Sequence, residues 1–191
     1  MDSRLIAWGR AVKRRRVGPP PLWFFTDERR AADPLPIISR LPVGLCGVVF
    51  RHDTHPDRAA LARRVARLCR ARKLKLIIAG DARLAAELGA GLHLRGGAVL
   101  PGGRGVLRSA SAHNAAQMAR ARRAKVALVF LSPVFPTASH PGANTLGVSG
   151  WLKLARQSGQ VKPCALGGIT GRQAGALGTR CNGVGAINAF F

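Results

Sequence analysis

Val126–Gly142, VALVFLSPVFPTASHPG, is the stretch whose reading decides the fold. VALVFL is a continuous apolar run of strand length, rich in β-branched residues and without alternation. Such a run suits a strand covered on both faces, as in a parallel sheet. It gives way to a loop punctuated by Pro133, Pro136 and Pro141 that carries Ser132, Thr137, Ser139 and His140. Hydroxyls, backbone N–H groups and a partly charged imidazole at the carboxyl end of a buried strand are where α/β folds bind anions. An ordinary surface loop would carry the same residue types, so the flanking chain must decide.

Outward from this stretch, strand-like and helix-like segments alternate. Upstream, LWFFTD (Leu22–Asp27), GLCGVVFR (Gly44–Arg51), LKLIIAGD (Leu74–Asp81) and GAGLHL (Gly89–Leu94) read as strands, with a weaker fifth near Val106–Ser109. Downstream, KPCALGGI (Lys162–Ile169) and NGVGAINAFF (Asn182–Phe191) complete eight strand candidates. Leu61, Val65, Leu68 and Cys69 recur at helical spacing from about Pro56 to Lys73. Further helices are expected to Leu88, after a Ser111–Asn114 cap, over Val148–Gln157 and over Thr170–Leu177. Eight alternating units predict an α/β fold, a (β/α)8 TIM barrel with abbreviated helices and a truncated last helix; a flavodoxin-like open sheet competes. The chain stops at AFF, which would leave part of the outer wall exposed or packed on a second subunit, the ground for expecting a homo-oligomer.

Composition narrows the function classes. One domain over residues 22–191 is expected, preceded by a basic, flexible arm at residues 1–21. Cys46, Cys69, Cys164 and Cys181 form no CxxC pair and read as reduced, buried thiols, which points to the cytoplasm. No apolar run approaches the roughly 20 residues of a membrane span, and the N-terminus lacks the features of a secretory signal. The net charge of +23 predicts anionic ligands. Phosphorylated small molecules fit better than nucleic acid, because the arginines are not interleaved with aromatics. The Lys13–Arg16 cluster could touch nucleic acid or acidic lipid, but a solvated extension explains it equally.

In a barrel the carboxyl ends of the strands share one face and their loops form the site. Those ends carry Asp27, Arg51, Gly80-Asp81, His93, Ser111-Ala112-His113, the SPVFPTASHPG loop, Gly167-Gly168 and Ile187-Asn188. Glycine-rich turns in the last two units sit where backbone N–H groups can cradle a phosphate.

In this order and spacing, LWFFTD, VVFR, IIAGD, GAGLHL, SAH, SPVFPTAS, ALGGI and GVGAINA resemble the thiamine phosphate synthase/TenI family of barrels. SPVFPTAS is close to that family's GPVFPTxT. The resemblance implies a transferase condensing an aminopyrimidine methyl pyrophosphate with a thiazole phosphate, with Mg²⁺ as cofactor. It also implies roles by position. Arg51, Thr137 and Ser139 would contact pyrophosphate, Ser111 would lie beside the reacting pair, and Asp81 would be a metal ligand. Gly168, Ile187 and Asn188 would hold the thiazole phosphate. His140, with Ser111 and Arg51, completes the candidate catalytic set. The alternative is a TenI-like or catalytically degenerate thiazole-phosphate-binding barrel with a regulatory role.

Four departures from the family pattern bear on activity. Asp53 replaces a lysine, Gly80 an asparagine, Ala98 falls where a second metal-binding aspartate is expected, and His140 replaces the lysine closing the loop. The sequence thus predicts an intact thiazole-phosphate side and a pyrophosphate side short of cations and of one metal ligand. TenI-type relatives place a histidine after strand six; here that segment is Leu131-Ser132-Pro133, leaving His140 and His113 as the nearest bases. His52 and His55 read as solvated loop residues.

Overall fold

The computed structural model describes residues 1–95, 105–137 and 142–191. Eight parallel strands close in sequence order: β1 (Leu22–Phe25), β2 (Cys46–Phe50), β3 (Lys75–Ala79), β4 (Gly91–Leu94), β5 (Arg108–Ala112), β6 (Leu128–Leu131), β7 (Lys162–Leu166) and β8 (Gly183–Ala186). β8 pairs with β1, so the sheet is a barrel and the open-sheet alternative falls. The helices are α1 (Ser3–Arg15), α2 (Leu35–Ile38), α3 (Arg58–Ala71), α4 (Ala82–Glu87), α5 (Ala115–Arg123), α6 (Gly147–Arg156) and α7 (Gly171–Ala176). α2, α4 and α7 are each two turns or less, as a (β/α)8 barrel in so short a chain requires.

Side-chain alternation divides the core in two. Trp23, Phe25, Val49, Ile77, Ala79, Leu128, Phe130 and Cys164 fill the barrel interior. Their neighbours along the strands, among them Leu22, Phe24, Val48, Ile78, Val129 and Val184, pack outward beneath the helices. The interior rings need bare backbone opposite them. A Cβ on Gly47 would lie 2.5 Å from the Trp23 ring, and one on Gly185 would lie 2.6 Å from Phe25. Phe130 meets Phe25 edge-on at 4.8 Å and Trp23 at 6.3 Å, both geometries favourable for aromatic quadrupoles.

Three expectations are corrected. β5 begins two residues later than the Val106–Ser109 reading, so Ser111 belongs to the strand, opposite Phe130 of β6, and is not a helix cap. Asn114 alone caps α5, accepting from Gln117 N at 3.0 Å. His52 is fully buried, not a solvated loop residue.

The third correction concerns residues 1–21, where a packed helix replaces the expected flexible arm. Leu5, Gly9 and Val12 of α1 are buried, at the i, i+4, i+7 spacing of one helical face. Gly9 lets the helix approach β1 closely, because a Cβ there would sit 2.9 Å from Leu22 Cγ. α1 packs on α7 and over β1, and Asp2 N donates to Ala189 O at 3.0 Å beyond β8. After β8 only a 3-10 turn, Asn188–Phe190, follows. The outer wall expected to be bare beside the last strand is therefore covered from within the chain. None of the helices among the described residues is long and apolar enough to cross a membrane.

Candidate active site

A cavity of about 770 Å³ opens at the carboxyl face of the barrel. Arg51 from the end of β2, Thr137 from the loop after β6, Gly168 after β7, and Ile187 and Asn188 after β8 line it together. Ser111 and Asp81, also singled out from sequence, do not. Ser139 and His140 fall within residues 138–141, and Ala98 within 96–104, all outside the described residues.

The loops after β6 and β7 hold each other. Val134 N donates to Leu166 O at 3.0 Å and Phe135 N to Gly167 O at 3.1 Å, continuing the β6–β7 pairing past the strands. Gly168 has φ +64°, and a Cβ on it would lie 2.4 Å from Pro136 O. Only glycine fits there, so the turn keeps its backbone bare beside the cavity. Ser132–Pro133 is a cis peptide in the same loop.

Arg51 is anchored through its backbone, which donates to Thr26 Oγ1 at 2.8 Å. Thr26 Oγ1 in turn lies 2.9 Å from His52 Nδ1, while His52 Nε2 is 3.0 Å from Ala31 O. With Nε2 protonated toward that carbonyl, Nδ1 accepts from the Thr26 hydroxyl, and the buried ring ties the β1 loop to β2. The Arg51 guanidinium lies 5.8 Å from the Phe25 ring centroid. Burial pulls its pKa below the usual arginine value, Asp27 and Asp53 oppose that, and Arg95 and Arg30 add to it.

Ser111 is held from beneath. His93, buried in the barrel mouth, contacts Ser109 Oγ at 2.9 Å through Nδ1 and Ser111 Oγ at 3.0 Å through Nε2. Burial first, then the positive charges of Arg51 and Arg95, lower its pKa to about 3, so the ring is neutral at pH 7. A neutral imidazole donates at one nitrogen and accepts at the other, which fixes the orientation of both serines. His113 lines the cavity with Nδ1 2.6 Å from Ser132 O, consistent with donation to that carbonyl.

The carboxylates do not fit a magnesium site. Asp81 Oδ1 caps α4 by accepting from Leu84 N at 2.9 Å, and Oδ2 accepts from Arg58 Nη1 at 3.0 Å. Asp53 is paired with Arg95 and lies 3.8 Å from Arg58 Nη2. Mg²⁺ needs free oxygen donors in octahedral array, yet these oxygens already hold guanidinium groups. Among the described residues no group of three or more His, Cys, Asp or Glu side chains could hold a metal.

Two cavity residues escaped the sequence reading. Arg30 reaches across the mouth to donate to Asn188 Oδ1, with its Nε 3.6 Å from Asp27 Oδ2. The sequence signal was a cation three residues beyond Asp27, at the end of the first strand. Asp2 caps α1, accepting from Arg4 N and Leu5 N, and its second oxygen accepts from Gly171 N at 2.7 Å at the start of α7. These bonds, led by that from Gly171, hold its pKa below the usual carboxylate value against the opposing effect of burial. No sequence signal placed Asp2 there, because the docking of α1 was itself unforeseen.

The family model described as thiamine monophosphate synthase matches residues 24–190. A thiamine phosphate pyrophosphorylase from Pyrococcus furiosus superposes with a TM-score of 0.74 at 21% identity, over 88% of this chain and 85% of that one. One from Bacteroides thetaiotaomicron gives 0.54 at 18% identity, over 89% and 83%. The 2-keto-3-deoxy-6-phospho-gluconate aldolase from Zymomonas mobilis gives 0.57 at 16%, over 93% and 85%. At these identities the structural likeness shows the fold. No curated protein matches the sequence.

Proposed function

The chain belongs to the thiamine monophosphate synthase family, and on that premise we propose that it is a transferase condensing an aminopyrimidine methyl pyrophosphate with a thiazole phosphate. The C–O bond between the pyrimidine methylene and pyrophosphate breaks, and the electron pair leaves with pyrophosphate. The thiazole nitrogen then gives its lone pair to the methylene carbon, forming the C–N bond of thiamine phosphate. What the protein contributes is alignment of two anionic partners and stabilisation of the charge on the leaving group.

One observation carries this reading. A single cavity is lined by a half-buried cation and a hydroxyl, Arg51 and Thr137, and by the Gly167–Gly168 and Ile187–Asn188 turns. A reaction between two phosphorylated molecules needs two such subsites in one enclosure. In this reading Arg51 and Thr137 face the pyrophosphate, and the backbone amides of Gly168, Ile187 and Asn188 hold the thiazole phosphate with Arg30 nearby. Ser111, fixed by neutral His93, lies outside the lining of this cavity and has no part in this reading.

A second reading, a phosphate-binding barrel without transfer chemistry, draws support from the ion pairs that occupy Asp53 and Asp81. Incubation of the full chain with both substrates, with and without Mg²⁺, followed by chromatographic detection of thiamine phosphate, separates the two. Product under either condition is the expected result. Thiazole phosphate binding with no product under any condition would leave the second reading.

A further inference from the structure

Four guanidinium groups and three carboxylates gather at the carboxyl ends of β1 to β4. Arg30 lies beside Asp27, Arg58 bridges Asp53 and Asp81, Arg95 pairs with Asp53, and Arg51 sits among them. Two sequence features build the cluster. Gly80, at φ +71°, has no side chain, and Arg95 lies across it: a Cβ there would be 3.1 Å from Arg95 Cδ and 3.2 Å from Nε. Asp53 gives Arg95 a partner at the rim. Arg58 is held more rigidly, with Nη2 donating to Ala79 O at 2.8 Å and its guanidinium 5.7 Å from the Phe50 ring centroid.

We propose that this cluster binds a pyrophosphate group without a divalent cation, Arg95 and Arg58 supplying beside Arg51 the positive charge that a metal would bring. The proposal rests on the transferase reading for its choice of face. A divalent ion entering here would meet carboxylates already neutralised and two guanidinium groups that repel it. A pyrophosphate meets four guanidinium groups against three carboxylates, a net positive charge, and gains Arg95 by displacing Asp53. Guanidinium groups bind phosphate oxygens bidentately and stay charged across the whole working pH range. Arg95 is the more exposed member: its side chain is 44% exposed, against 18% for Arg58. Asp53 then acts as a placeholder, orienting Arg95 until the stronger anion takes its contacts.

Calorimetric titration of the full chain with inorganic pyrophosphate, in EDTA and then in Mg²⁺, tests this. Binding in EDTA is expected, and Arg95→Ala weakens it about tenfold or more, the loss of one charge-assisted contact. Arg95→Lys restores part of the affinity. Asp81→Asn keeps an N-cap for α4 and releases Arg58 from a competing charge, so it tightens pyrophosphate binding. Binding that appears only with Mg²⁺, no binding in either buffer, an Arg95→Ala variant with unchanged affinity, or weaker binding by Asp81→Asn would each overturn the proposal. Failure of this inference and failure of the transferase reading remain distinguishable. Pyrophosphate binding in EDTA with no turnover sinks only the transferase, and turnover that requires Mg²⁺ sinks only the metal-free site.

Discussion

His93 shows how much chemistry one buried residue can set. Its folded pKa of about 3 lies below the ordinary value of 6.5, so between those limits the unfolded chain binds a proton that the folded chain does not. Stability contributed by the neutral ring is therefore complete above pH 6.5 and is lost as pH falls toward 3. The loss amounts to about 1.4 kcal/mol per pH unit inside the window. Urea denaturation at a series of pH values should show that slope in the wild type and a flatter one in His93→Asn. Equal slopes would mean that other groups govern acid unfolding. The sequence marked His93 as a strand-end residue but could not show that Ser109 and Ser111 flank it, because that contact depends on the register of β5 against β4. His52 was misread for a similar reason: two carbonyls of the β1–α2 connection accept from it, and a loop's path is not written in local spacing.

At the scale of elements, the strands were the readable part. β1, β2, β6 and β8 are buried at every residue, so their apolar or glycine-rich runs stand out against the polar turns around them. β5 blurred because RSASA sets only two alanines among an arginine and two serines and offers no such run. α1 was missed because its last turn, Lys13 to Arg15, outweighs three buried positions in any reading of charge. The structure makes that helix part of the core. Leu5→Ala should cost about 2–5 kcal/mol, the usual range for a buried leucine, in urea denaturation of the full chain. A change within experimental error would mean that α1 contributes no core packing in solution. The cavity residues followed the same rule: those next to readable strands were found, whereas Arg30 and Asp2 lie on the two segments whose paths only the folded chain reveals.

The whole molecule carries 31 basic and 8 acidic side chains, so most of its arginines and lysines have no carboxylate to pair with. Self-repulsion at this net charge destabilises the compact state, and salt relieves it. Raising ionic strength from about 0.01 M to about 0.15 M shortens the screening length from roughly 30 Å to 8 Å. The melting temperature should rise by a few degrees over that interval, as for a gain of about 1 kcal/mol. A fall would show that the specific ion pairs outweigh the diffuse repulsion. The fold class was legible at this scale because eight alternating units leave few topologies; the charge was legible too, but not the pairing that sets guanidinium groups on Asp53 and Asp81.

The division of the core into an inner and an outer layer has an optical consequence. The chain contains three tryptophans and no tyrosine, so its near-ultraviolet emission comes almost wholly from Trp8, Trp23 and Trp151. Trp23 stands inside the barrel, Trp151 lies in the outer layer with its indole N–H 3.4 Å from Cys164 O, and Trp8 sits half-buried on α1. Variants that keep one indole at a time would turn the molecule into three spectroscopic probes. Each would report the wetting of a different depth, so the undocking of the first helix, the loosening of the helical shell and the opening of the barrel could be timed separately in one unfolding experiment.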